Sequence, residues 1–134
     1  MIEQNMNIRE IGWNLRIFYC PKTSSQRSIV LKCLYNAGCT GRNFRRAMTL
    51  LDSGALNTGL TYSNKRERKT IIVIGCSSDI AEFVNTLTHE VNHFIGHAME
   101  ALHITPGTED EAYFTGELFE LLYRDAVSNV LPLL

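Results

Sequence analysis

Five consecutive residues, His89-Glu90-Val91-Asn92-His93, constrain this chain more than any other segment. On a helix, positions i and i+4 lie one turn apart on the same face, so both imidazoles can aim a ring nitrogen at one point. Glu90 then lies about 100° round from His89, beside that point without occupying it. Two nitrogen ligands and an adjacent carboxylate suit a zinc ion with a general base next to it, which points to metal-dependent hydrolysis. Without a metal, the same residues would be half-buried helix positions bonded to their neighbours.

The flanking sequence predicts the helix. Asp79 or Ser78 supplies an N-cap, and Glu82 stands three residues beyond Asp79 as in a capping box. Ile80, Phe83, Val84, Leu87, Val91, Phe94 and Ile95 recur at helical spacing. Before it, Thr70-Ile71-Ile72-Val73-Ile74-Gly75 is a β-branched run that reads as a strand. The pattern resembles that of the zincin metallopeptidases, whose His-Glu-x-x-His lies on a helix. Gly96 fits the longer metzincin pattern, but Met99 stands where the third histidine belongs. His97 is no substitute, because on a continuous helix it lies about 12 Å along the axis from His89.

A catalytic zinc takes three protein ligands, and the third is expected from Pro106-Gly107-Thr108-Glu109-Asp110-Glu111-Ala112-Tyr113. Pro106 and Gly107 end the first helix, and Thr108 with Glu111 forms a second capping box. Phe114, Leu118, Phe119, Leu121 and Leu122 give the following helix, to about Val127, an apolar side. Glu109-Asp110-Glu111-Ala112 is similar to the glutamate helix of the gluzincins, and the resemblance implies Glu109 as a zinc ligand. Tyr113 departs from the Asp or Asn of that pattern; its hydroxyl is a candidate partner for a ligand or a substrate oxygen. Tyr113 and His97 are the candidates to stabilise an oxyanion. From about Leu56 to Tyr123 the chain resembles a group of small zincin-like proteins of phages and bacteria. That resemblance rests on Gly59-Leu60-Thr61-Tyr62, the Ile-Val strand, the histidine motif and Glu109-x-x-Ala112-Tyr113-Phe114-Thr115-Gly116-Glu117.

The resulting expectation is one α+β domain over residues 1–134, a minimal zincin-like unit. A small sheet would have an early helix on one side and the metal helix on the other, followed by a C-terminal glutamate helix. Ile8 to Tyr19 begins with a short strand, Ser24 to Ala37 and Arg42 to Leu51 are helices, and Leu56 to Gly75 holds two strands around the polar turn 63–69. An exposed sheet edge beside the metal would accept an extended peptide substrate. With 134 residues, 45% hydrophobic and 20% charged, the chain has enough apolar material for one core. No apolar run approaches bilayer length, and Met1-Ile2-Glu3-Gln4-Asn5 lacks signal-peptide character, so a cytoplasmic location is expected. The four cysteines, Cys20, Cys33, Cys39 and Cys76, form no Cys-x-x-Cys pair and are expected to be free, largely buried thiols.

A different class of function competes. Lys22, Arg27, Lys32, Arg42, Arg45 and Arg46 face a single acid, Asp52, between Lys22 and Ser53. Residues 24–53 therefore resemble a basic helix-turn-helix with a glycine-containing turn at Asn36-Ala37-Gly38-Cys39-Thr40-Gly41. A net charge of -1 gives the whole chain no basic footprint, which weighs against nucleic acid as a partner. A zinc-stabilised interaction protein without catalysis is the third reading.

Overall fold

The sequence alternates short apolar-faced strands with amphipathic helices, and a computed structural model, which describes residues 1–52, 59–130 and 132, joins them around one four-stranded sheet. The strands are β1 (Ile2–Ile8), β2 (Trp13–Tyr19), β3 (Gly59–Asn64) and β4 (Lys69–Ile74), in the order β1-β2-β4-β3. The helices are α1 (Ser24–Asn36), α2 (Gly41–Asp52), α3 (Ile80–Leu102) and α4 (Glu109–Asp125), the last continued by a π-helical turn at Ala126–Val130. The α+β expectation holds. Residue 53 and residues 56–58, which the sequence assigned to the basic segment and to the start of a strand, lie outside the described residues.

The period-2 alternation of the strands gives the sheet two apolar faces. Leu15, Ile17, Tyr19, Ile72 and Ile74 pack against Phe83, Leu87, Val91, Phe94 and Ala98 of α3 and Leu118 and Leu122 of α4. Phe18, Ile71 and Val73 on the other face meet Val30 and Leu34 of α1 and Ala47 and Leu51 of α2. The first expected helix is thus a pair on one face, and the histidine helix has the other. Trp13 meets the ring of Phe94 edge-on at 5.9 Å between centroids.

The N-terminal strand is where the sequence reading fell short. The sequence predicts one short strand near Ile8; there are two, paired antiparallel from Ile2↔Tyr19 to Ile8↔Trp13 across a tight turn whose Gly12 has φ 61°. Ile2, Gln4, Met6 and Ile8 face inward in β1, and the polar Gln4 in that row blurs the apolar alternation. Gln4 is tolerated because its carbonyl oxygen accepts from the Tyr19 hydroxyl at 2.6 Å. Burial pushes the Tyr19 phenol well above its ordinary range, so it stays a donor.

The cysteines also need correction. Cys20 and Cys76 form a disulfide with Cα atoms 4.5 Å apart, while Cys33 and Cys39 are free. β2 and β4 are parallel neighbours in the register Tyr19↔Ile74, so the residues that follow them emerge at the same end of the sheet. That adjacency depends on a crossover through α1 and α2, which a spacing of 56 residues does not reveal.

Both predicted caps form, with one change. Asp79 accepts from the Glu82 amide at 2.7 Å, and Thr108 accepts from the Glu111 amide at 3.4 Å. In each case the glutamate reaches back one residue further than in a capping box, to the amides of Ser78 and Gly107. Because Phe94 is fully buried between α3 and the sheet, Phe94→Ala is expected to cost about 3–5 kcal/mol. Val84→Ala, on the 41%-exposed side of the same helix, is expected to fall within about 0.5 kcal/mol. Urea denaturation of the two variants tests this: equal losses would mean that α3 does not pack as described.

Candidate metal and catalytic site

The buried row of α3 sets which way its polar residues face. With Phe83, Leu87, Val91, Phe94 and Ala98 against the sheet, Glu90 and His97 fall on the flank facing β3, and His93 and His89 lie successively further out. β3 runs alongside, and alternate residues meet the helix in order. Thr61 Oγ1 donates to Glu90 Oε2 at 2.6 Å, Ser63 Oγ lies 2.7 Å from His97 Nδ1, and Lys65 Nζ pairs with Glu100 at 2.6 Å. The edge strand and the helix thereby form two walls of a cleft of about 520 Å3, and Asn43, Arg46 and Ala47 of α2 form a third.

His89 and His93 aim at one point. Their Nε2 atoms are 3.2 Å apart and their rings are nearly perpendicular, at 80°. A tetrahedral zinc with Zn–N bonds of 2.0–2.1 Å needs about 3.3–3.4 Å between two nitrogens, so the pair fits zinc with almost no adjustment. A hydrogen bond between two neutral imidazoles would also account for the separation, but not for the carboxylate placed beside it. Glu90 is buried, with Oε2 held by Thr61 and Oε1 4.0 Å from His89 Nε2. Fixing one oxygen leaves the other on the histidine side.

The remaining predicted residues stand elsewhere. Glu109 opens α4 and is exposed, whereas His93 lies nine residues before the end of α3 at Leu102, about 13–14 Å back along the axis. Direction separates them as well. α4 packs on the Thr88 and Ile95 side of α3, where Tyr123 reaches the Thr88 hydroxyl, and Thr88 is about 100° from His89 and 140° from His93. Tyr113 is 67% exposed and does not line the cleft. Among the described residues, no group of three or more His, Cys, Asp or Glu side chains is assembled that would hold a metal ion. The structure thus brings together His89, His93 and Glu90, and leaves Glu109 and Tyr113 apart from them. Glu111 serves the α4 cap, as expected.

Four residues around the site were given no role from sequence. Thr61 and Ser63 are polar at alternate positions of a strand that turns Leu60 and Tyr62 to the other face, a pattern that marks a sheet face turned toward a polar helix flank. Gly59 permits the approach of Glu90, since a Cβ there would sit 2.8 Å from Glu90 Cγ and 2.5 Å from the Val73 carbonyl oxygen. Thr70, buried beneath Ser63, links that hydroxyl to the indole of Trp13. His97 is half-buried, and burial first, then the charges of Lys65 and His93, hold its pKa below the ordinary histidine value. The neutral ring is therefore the form that occupies the cleft at neutral pH.

Comparison with family models, with curated proteins and with solved structures finds no match to this chain. The reading of the site therefore rests on its own geometry. Gly59→Ala is expected to destabilise the fold by about 1–3 kcal/mol through overpacking and to displace the Glu90 side chain. Chemical denaturation together with a crystal structure of the variant checks both, and an unmoved Glu90 at parental stability would contradict the contact.

Proposed function

We propose that the protein is a zinc-dependent hydrolase and, among hydrolases, a peptidase. The observation that carries the reading is the 3.2 Å separation of His89 Nε2 and His93 Nε2, with the buried Glu90 carboxylate beside them. When bound there, zinc supplies Lewis-acid polarisation and an acidified water. Glu90 accepts the proton of the attacking water through Oε1, while Thr61 keeps Oε2 fixed so that the carboxylate does not swing into a ligand position. Among the described residues β3 is an edge strand, paired with β4 alone. Its free edge borders the cleft and offers main-chain hydrogen bonds to an extended peptide, which favours a peptide or protein substrate over a small ester.

Glu90→Gln keeps shape and hydrogen bonding but removes the base, so zinc and fold are expected to persist while peptide hydrolysis falls about 10²–10⁴-fold. Undiminished cleavage by a zinc-loaded variant would remove Glu90 from the mechanism. A parent protein that binds zinc yet cleaves nothing across a diverse peptide library would identify a zinc-stabilised interaction protein instead.

The gluzincin assignment depends on Glu109. With the helices as they stand, His89→Ala and His93→Ala are expected to abolish zinc binding, and Glu109→Ala and Glu111→Ala to retain it. Atomic absorption on protein purified without a His tag measures this. Loss in Glu109→Ala as well as in the two histidine variants, with Glu111→Ala retaining zinc, would show that the first turn of α4 moves across to complete the ligand set when metal binds.

Nucleic acid is not part of this reading, because Ala47 and Leu51 of α2 pack on the sheet and Arg46 borders the cleft. No described helix is long and apolar enough to cross a membrane.

A further inference from the structure

A chain of four polar groups runs from the core to the cleft. Trp13 Nε1 donates to Thr70 Oγ1 at 2.8 Å, Thr70 Oγ1 and Ser63 Oγ are 2.8 Å apart, and Ser63 Oγ is 2.7 Å from His97 Nδ1. The direction of the protons is set at its buried end. An indole nitrogen only donates, so Thr70 Oγ1 must accept from Trp13, and Thr70 and Trp13 are each 1% exposed. If Thr70 passes its proton to Ser63, and Ser63 passes its own to His97 Nδ1, every donor finds an acceptor. The reverse order, from His97 Nδ1–H to Ser63 to Thr70, would have Thr70 receive two protons, while its own would find no acceptor in this chain of groups. Burial penalises that arrangement. The order that satisfies every donor within this chain of groups leaves Nδ1 of His97 bare and puts the ring's proton on Nε2.

His97 lines the same cleft as His89, Glu90 and His93. It lies seven residues past Glu90, nearly two full turns, so the two share a flank about 10 Å apart along the axis, with His93 between them. The base thus stands level with the histidine pair and the N–H donor one turn beyond it, both on the flank that faces β3. We propose that His97 is a catalytic hydrogen-bond donor, its Nε2–H presented to the carbonyl oxygen of the substrate as negative charge develops there. Ser63, Thr70 and Trp13 are positioning residues that set its tautomer and aim. This assignment rests on the hydrolase reading above. Such a donor stabilises the transition state more than the bound substrate, so its removal should lower kcat and leave KM nearly alone.

Two measurements test the proposal separately. Nitrogen-15 NMR of the imidazoles, on the metal-free parent protein, should show His97 protonated at Nε2 with Nδ1 an acceptor, and Ser63→Ala should weaken that preference. A proton on Nδ1 would overturn the proposal whatever the protein hydrolyses. In kinetics, His97→Phe should lower kcat about 10²–10³-fold at unchanged zinc content, and His97→Gln, which carries an N–H near the Nε2 position, should recover part of it. Parental kcat in a folded, zinc-loaded His97→Phe would overturn the role, as would loss of zinc from both variants, which would make His97 a ligand. A parent without hydrolysis would defeat the hydrolase reading and the role of His97 in it, while the NMR result would still decide the proton's place.

Discussion

The seating of α3 on the sheet fixes everything at the site. Phe83, Leu87, Val91, Phe94 and Ala98 are buried to within a few per cent, and a helix held along such a row has no freedom to rotate. Rotation by even one residue would bury His93 or turn Glu90 into solvent. Apolar packing therefore does the positioning, and the polar residues inherit their directions from it.

The edge strand finishes the work. Thr61 and Ser63 are small hydroxyl residues two apart on β3, and each holds one functional side chain of α3: Glu90 for Thr61 and His97 for Ser63. A buried carboxylate is costly unless hydrogen-bonded, and a histidine with two free nitrogens has no defined tautomer. The hydroxyls answer both needs, and Gly59 clears the space in which Glu90 lies. Lys65 closes the series by pairing with Glu100 outside the cleft. It leaves Glu90 as the carboxylate lining the cleft.

Much of this was legible in the sequence because it is local. The helix over His89 and His93, its cap at Asp79, the β3–β4 hairpin and the two early helices all follow from patterns within a turn or two of each residue. What escaped depends on contacts between distant segments. The Cys20–Cys76 bond requires β2 and β4 to be neighbours, and β1 is disguised by the inward Gln4 that Tyr19 satisfies from the next strand. The link from Trp13 to His97 crosses three strands and a helix. Glu109 is the converse case: its sequence neighbourhood resembles a ligand helix, while α4 packs on the flank of α3 away from the histidines. A short connection after a 23-residue helix places the first turn of its successor level with the helix end, well past the middle.

Anomalous scattering at the zinc edge, from crystals of the protein grown with zinc, addresses the central claim most directly. A single peak should lie 2.0–2.1 Å from both His89 Nε2 and His93 Nε2, with those atoms separated by little more than the present 3.2 Å. No peak between them, or a peak seated on His97 or His103 alone, would contradict the claim that this helix is built around a metal ion.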